Sequence, residues 1–345
     1  MPNNRIYWAV QGVSIAPQDS VSFDTDNGSV DTAVVHGLQT IGITTTFNLE
    51  QVFEIGQLAI YENIEDIPDI EVTMERVIDG NCLMYHLATQ GATATTLAGR
   101  STRQCNVLMN IYGDTQDSAS GTPQTEVLCS GMYLSSVSFT CPVDGNCTES
   151  VTLVGNNKEW RSANFLLPTD MFDGTDTPAD STNGVNRREN VTFGSATYAS
   201  KTATILPTEI EGISASGTND KTGGVYGAHV QNISISADLG RDNLNELGRK
   251  GPYFRYVNFP VEVSTEIEVI SLEGDQIDAF EDQENVSNQT ILLVLGDSTK
   301  VDCGTKNKLS NVSYGGGDAG GGNSATTYSY TGFNDLLVTH DQDPG

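Results

Sequence analysis

Basic residues are scarce in this chain of 345 residues: Lys and Arg number 17 against 45 Asp and Glu, for a formal net charge of -28. The acidity is spread along the chain rather than gathered in a tail, and a field of that sign repels phosphate backbones and anionic membranes. Tight nucleic-acid binding is therefore disfavoured, while nucleic acid that passes nearby without sticking stays compatible with the charge. Tryptophan is limited to Trp8 and Trp160, which offers little for the aromatic loop cluster of a glycan- or receptor-binding module. No apolar run reaches the roughly 18 residues of a membrane-crossing helix. The opening MPNNRIYWAV lacks a basic region followed by an apolar core and a cleavage site, so the chain is expected to be soluble and unsecreted.

Catalytic signatures are missing as well. There is no G-x-S-x-G, HExxH or P-loop, and His36, His86, His229 and His340 are scattered singly. GGGDAG (315 to 320) satisfies G-x-G-x-x-G literally, but alternating SNVSY precedes it and TTYSYTGF follows. A pyrophosphate cradle needs a strand before and a helix after, so this stretch reads as a hairpin tip, like TCPVDGNCTE (140 to 149). The acidic stretches SFDTDNGSVD (22 to 31) and PTDMFDGTDTPADSTNGVN (168 to 186) do not have EF-hand spacing and read as solvated loops. No enzyme activity, cofactor or metal is expected. Cys82, Cys105, Cys129, Cys141, Cys147 and Cys303 form no CxxC pair, so free thiols are expected, with a Cys141 to Cys147 bridge as the exception to check.

What is present is alternation. In VEVSTEIEVISL (261 to 272), Val261, Val263, Ile267 and Val269 share one face while Glu262, Ser264, Glu266 and Glu268 share the other, the period of a half-buried strand. Many such segments, DIEVTMERV (69 to 77) among them, are separated by turns rich in Gly, Asn and Asp, so the fold class is mainly β. TTLAGRSTRQ (95 to 104) and GDQIDAFEDQE (274 to 284) are the best helix candidates.

The chain also repeats itself. LQTIGI (38 to 43) matches VQNISI (230 to 235), NLEQVFEIG (48 to 56) matches NLNELGRKG (243 to 251), and PDIEVTMERV (68 to 77) matches FPVEVSTEIEV (259 to 269). NVLMNIYGD (106 to 114) then matches QTILLVLGD (289 to 297), and LSSVSF (134 to 139) matches LSNVSY (309 to 314). Weak matches in a conserved order predict a diverged duplication: one β domain over 1 to 165, an acidic linker or loop over 166 to 189, and a second copy over 190 to 345.

One stretch stands out against this polar background, LEQVFEIGQLAIYEN (49 to 63). Leu49, Val52 and Phe53 are spaced as on a helical turn and Leu58 and Ile60 as on a strand, so a loop entering a strand is expected. Leu58 to Tyr61 are assigned to the domain's own core. Leu49, Val52, Phe53 and Ile55, interleaved with Glu50, Gln51 and Glu54, are assigned to contact with a partner subunit.

FEIGQLAIYENIEDIPDIEVTMERVIDG (53 to 80) and YLSSVSFTCPVDGNCTESVTLVGNNKEW (133 to 160) resemble the major tail tube proteins of long-tailed bacteriophages. The resemblance covers most of the first half and reaches the second half mainly through the duplication. It implies two tandem tail-tube-type β-sandwich or barrel domains, each with one short flanking helix, whose strands join neighbours into a ring-shaped barrel. It further implies trimeric, pseudo-hexameric rings that stack into a tube, assembled in the bacterial host cytoplasm and located in the virion tail. In the family a long loop reaches the adjacent ring and the adjacent subunit. By position that loop is 44 to 64 here, with 240 to 256 as its counterpart, which adds Leu244, Leu247, Arg249, Lys250, Tyr253 and Phe254 to the inter-subunit set. Arg249, Lys250 and Arg255 make the second loop basic, suited to acidic neighbours. Glu71, Glu75, Glu262, Glu266 and Glu268 are expected to line the lumen. The implied partners are the chain itself, tape-measure, sheath, baseplate and terminator proteins, and genomic DNA in transit, with no membrane. A low-copy baseplate or tail-terminator component of the same fold, and a β-sandwich glycan or receptor-binding module, stand as the alternatives.

Overall fold

The computed structural model describes residues 5–18, 33–92, 94–162, 171–172, 175–179, 184–193, 198–211, 229–270, 277, 287–316 and 322–343. The first half runs β1 (Gln11–Pro17), β2 (Ala33–Val34), β3 (Leu38–Thr46), β4 (Leu49–Phe53), β5 (Ile60–Glu65), β6 (Asp69–Val77), α1 (Met84–Ala88), α2 (Leu97–Ser101), β7 (Gln104–Ile111), β8 (Thr125–Pro142), β9 (Thr148–Gly155) and β10 (Asn157–Ser162). The second runs α3 (Thr208–Glu211), β11 (His229–Asp238), β12 (Arg241–Leu244), β13 (Phe254–Val257), β14 (Glu262–Ile270), β15 (Leu292–Val294), β16 (Lys300–Asp302), β17 (Lys308–Gly315), β18 (Ala325–Phe333) and β19 (Leu337–Thr339). The protein is mainly β, with antiparallel ladders throughout these strands. Of the expected helices, 95 to 104 yields α2 and then enters β7, α1 is additional, and 274 to 284 lies, apart from Ile277, outside the described residues.

Pairing in the second half repeats that in the first. β3 pairs β6, β6 pairs β9 and β9 pairs β8; correspondingly β11 pairs β14, β14 pairs β18 and β18 pairs β17. Even the irregularities recur, with a register shift at Leu38/Thr40 and another at Val230/Asn232, and likewise at Leu134/Ser136 and Leu309/Asn311. These ladders correct two of the sequence matches. Ile70, paired to Gly155, corresponds to Val263, paired to Gly332, and not to Val261. Leu49 and Val52 correspond to Arg241 and Leu244 rather than to the residues that NLNELGRKG assigned. The first is a slip of two residues, which leaves every side chain on its own face, so alternation is blind to it; the second is a slip of three.

β8 organises the whole. Gly131 sits within it at φ +67°, a left-handed conformation that costs glycine little. Before it the strand pairs β7 and β10, the β7 ladder running on to Tyr133; beyond it the strand pairs β9 and β11. The second half breaks at the corresponding place into β16, which pairs β15 and β19, and β17, which pairs β18. Switching partners along one strand lets a chain turn the corner between two packed layers.

The β8–β11 ladder, from Asn232 opposite Pro142 to Asp238 opposite Ser136, is the seam that joins the halves. One continuous strand order therefore results: β3, β6, β9, β8, β11, β14, β18, β17. On its inner face Val72, Met74, Val151, Phe139, Ile235 and Ile267 belong to a hydrophobic cluster that extends through both halves. Each such fully buried side chain contributes about 1.5–3 kcal/mol relative to exposure.

Short polar links tie the underside together. The fully buried carboxylate of Glu149 accepts from the backbone N–H of Met84 (2.9 Å) and Tyr85 (2.7 Å), holding α1 beneath the sheet. Burial pushes that carboxyl up from its ordinary value, opposed by Arg76 and by the two N–H donors. Arg76 itself pairs with Asp79 at 2.5 Å. From the second half, the Val338 carbonyl lies 3.2 Å from His86 Nε2, and Asp343 pairs with Arg100. The expected solvated linker is partly packed: Met171 is buried against β1, its N–H donates to the Ala119 carbonyl at 3.0 Å, and Asn186 is fully buried.

Candidate assembly interface

The two outermost strands of the continuous order are long. β3 has nine residues and β17 has eight, and among the described residues each has a ladder partner on one side only. Open edges of that length are a liability that folded proteins normally cover, shorten or pair. Beside β3 lies an open cleft lined by Ile6, Trp8, Leu38, Ile41 and Phe172, and Trp8 is 87% exposed.

Outside the continuous strand order the chain forms two hairpins. β4 pairs β5 from Leu49 opposite Glu65 to Phe53 opposite Ile60, and β12 pairs β13 from Arg241 opposite Val257 to Leu244 opposite Phe254. The segment Leu49 to Phe53, expected to be a loop entering a strand, is itself strand β4. Leu58, Ile60 and Tyr61, expected in the core, are exposed; Leu58 is at 101% and Ile55 at 104% in the connection between the strands. The reason is tertiary: among the described residues β4 and β5 pair only with each other, and every residue of the two strands except Val52 is exposed. Leu49, Phe53, Leu244, Leu247 and Tyr253 are exposed large hydrophobics too, while Val52 is half-buried. A two-stranded ribbon carrying this much apolar surface is only marginally stable without something to pack on.

The second hairpin leans on the first half. The Phe254 ring meets Tyr133 edge-on at 5.8 Å between centroids, and Arg241 stacks over the same Tyr133 ring at 5.1 Å. Arg241 Nε also donates to the Leu134 carbonyl at 2.8 Å. Arg255, counted among the basic residues free for neighbours, is instead buried and paired with Asp69 at 2.6 Å, with Asn156 as a further partner. At the tip, the guanidinium of Arg249 lies 5.6 Å from the centre of the Tyr253 ring, and both Arg249 and Lys250 are exposed.

The outer face of the continuous sheet is polar. Glu71 and Glu75 on β6 and Glu262, Glu266 and Glu268 on β14 all point to it, with Glu71, Glu262 and Glu266 exposed and the other two half-buried. Between them run rows of short hydroxyls: Glu75 stands opposite Ser150, Ser150 opposite Ser138, Ser138 opposite Ser236, and Ser236 opposite Ser264. Nothing in the sequence reading foresaw these rows, though the Ser and Thr alternation of β8, β9 and β11 carried the signal.

Among the described residues no cluster of three or more His, Cys, Asp or Glu is placed to hold a metal. Cys141 and Cys147 are free thiols; their mutual hydrogen bond and burial raise Cys141 well above the ordinary thiol value. Residues 317–320 of GGGDAG lie outside the described residues.

No protein-family model and no curated protein matches the chain. Solved structures with some likeness include a chain of the anti-feeding prophage (AFP) baseplate, 6-fold symmetrised, at 12% identity and TM-score 0.32, covering 46% of this chain and 97% of that one. Another comes from the tail of the empty GTA particle, C6 symmetry, at 12% identity and TM-score 0.27, covering 42% of this chain and 99% of that one. Similarity this low carries no functional weight.

Proposed function

We propose that the chain is a structural subunit of a phage-type virion tail, and more narrowly a tail tube subunit built from two copies of one domain, 1 to 165 and 190 to 345. The carrying observation is the β8–β11 seam. It shows within one molecule how the second-half edge β11 is met by the first-half strand β8, and the equivalents of those two strands, β3 and β17, are the edges left open. A contact between unlike edges is heterologous, and repeated around an axis it closes a ring. Three chains then give a ring with pseudo-sixfold symmetry. The hairpins β4–β5 and β12–β13, with their exposed apolar residues, connect stacked rings. The carboxylate and hydroxyl face lines the bore, where negative charge keeps passing DNA from sticking. The subunit acts without chemistry, in contact with copies of itself and with the tape-measure, sheath, baseplate and terminator proteins of such a tail.

Electron microscopy of the purified protein tests this. Straight hollow tubes with threefold, near-sixfold averages, and with Glu71, Glu75, Glu262, Glu266 and Glu268 on the inner wall, are expected. Single rings would assign the chain to a terminator or baseplate role, and a monomer at high concentration would refute self-assembly.

A further inference from the structure

Equivalence between the halves extends to side chains at the seam. Tyr133 pairs Val154 on β8–β9, and Lys308 pairs Thr331 at the same ladder position of β17–β18. Phe254 stands opposite Leu244 in the second hairpin, and Glu62 stands opposite Val52 at the same position in the first. One of the contacts that fasten the hairpin across the internal seam, Phe254 on Tyr133, therefore has as its equivalent a Glu62 and a Lys308 that belong to opposite ends of the strand order. Both are exposed.

Resting on the ring reading above, we infer that Lys308 of one copy and Glu62 of the next form an ion pair across the seam between chains. It takes the place that the Tyr133–Phe254 ring contact holds inside each chain. The backbone register of that seam copies the internal one: Ser138 opposite Ser236 becomes Ser313 opposite Thr44, and Phe139 opposite Ile235 becomes Tyr314 opposite Ile43. The occupant of the open edge is a second copy because the edge continues an existing interface with complementary charge. The two kinds of seam then differ in character. An aromatic contact between the buried Tyr133 and the half-buried Phe254 is indifferent to salt, whereas an exposed ion pair is screened as ionic strength rises, the Debye length falling from about 10 Å at 0.1 M to about 3 Å at 1 M. Ring closure is then more sensitive to salt than the Tyr133–Phe254 contact inside each chain.

The test combines charge exchange with cross-linking. Lys308→Glu raises the protein concentration needed for ring formation about tenfold at low salt, as like charges face each other, and Lys308→Glu with Glu62→Lys restores it. Both variants keep the melting temperature of the unassembled chain, which separates a seam defect from misfolding. Thr44→Cys with Ser313→Cys gives covalent multimers under mild oxidation, and Thr44→Cys with Asn311→Cys, one step out of register, does not. Failure of the double charge exchange to restore rings, or better cross-linking by the shifted pair, overturns this seam while leaving wild-type tubes, and so the proposed function, intact. Absence of any wild-type assembly overturns both.

Discussion

Replacing Ile55 and Leu58 together by Ser separates assembly from folding more cleanly than any other change. Both side chains are as exposed as in an unfolded chain, at 104% and 101%, so the folded monomer has nothing to lose from them. The stability of unassembled protein should stay within about 0.5 kcal/mol of wild type, as for surface sites generally. If the hairpin tip is covered in stacked rings, each apolar side chain forfeits part of the roughly 1.5–3 kcal/mol of full burial. Taking about 1–2 kcal/mol apiece, the pair costs about 2–4 kcal/mol per subunit contact, which is about 30-fold to 1,000-fold in the equilibrium constant for elongation. Sedimentation of tubes over a concentration series reads this as a rise in the soluble fraction, and urea unfolding of the dilute protein reads the monomer. Elongation unchanged within about threefold would mean that the tip faces solvent in the assembly. A monomer weakened by more than about 1 kcal/mol would mean that these residues are ordinary core.

The same repeat position behaves oppositely at the two seams. Phe139 is 1% exposed opposite Ile235, so Phe139→Ala should cost about 3–5 kcal/mol in urea unfolding of the monomer. Its counterpart Tyr314 is 57% exposed on the open edge, so Tyr314→Ala should leave that midpoint alone and weaken ring formation; a large loss from Tyr314→Ala in the monomer would refute the open edge. Acid should loosen the contact between the halves. Burial pushes His86 down to about 4 from 6.5, against the pull of Asp343, so between these values the unfolded chain binds a proton that the folded chain refuses. The contribution is whole above about 6.5 and is lost as pH falls toward 4, at most about 3 kcal/mol. His86→Gln should flatten the dependence of melting temperature on pH across that window, and an unchanged slope would remove His86 as its source.

The amino-acid sequence by itself determined what depends on neighbours along the chain. Alternation put Glu262, Glu266 and Glu268 on one face of β14 and Val263, Ile267 and Val269 on the other, because side chains on a strand reverse with each residue whatever the strand pairs with. The ordered matches pointed to a repeat that the strand pairing of the two halves shares, and the apolar excess at 49 to 63 marked the stretch whose large side chains the fold leaves exposed. Tertiary structure alone decided which strands meet. A slip of two residues preserves the face, so only the ladders could seat Ile70 on Val263. Whether Leu58 was core or surface turned on whether a layer covers the β4–β5 hairpin, and none of the described residues does. Arg255 looked free as one basic residue in a loop, yet the fold carries Asp69 to within 2.6 Å of it from far along the chain. The open edges of β3 and β17 have no local signature at all, since being unpaired is a property of position in the sheet and of no single strand.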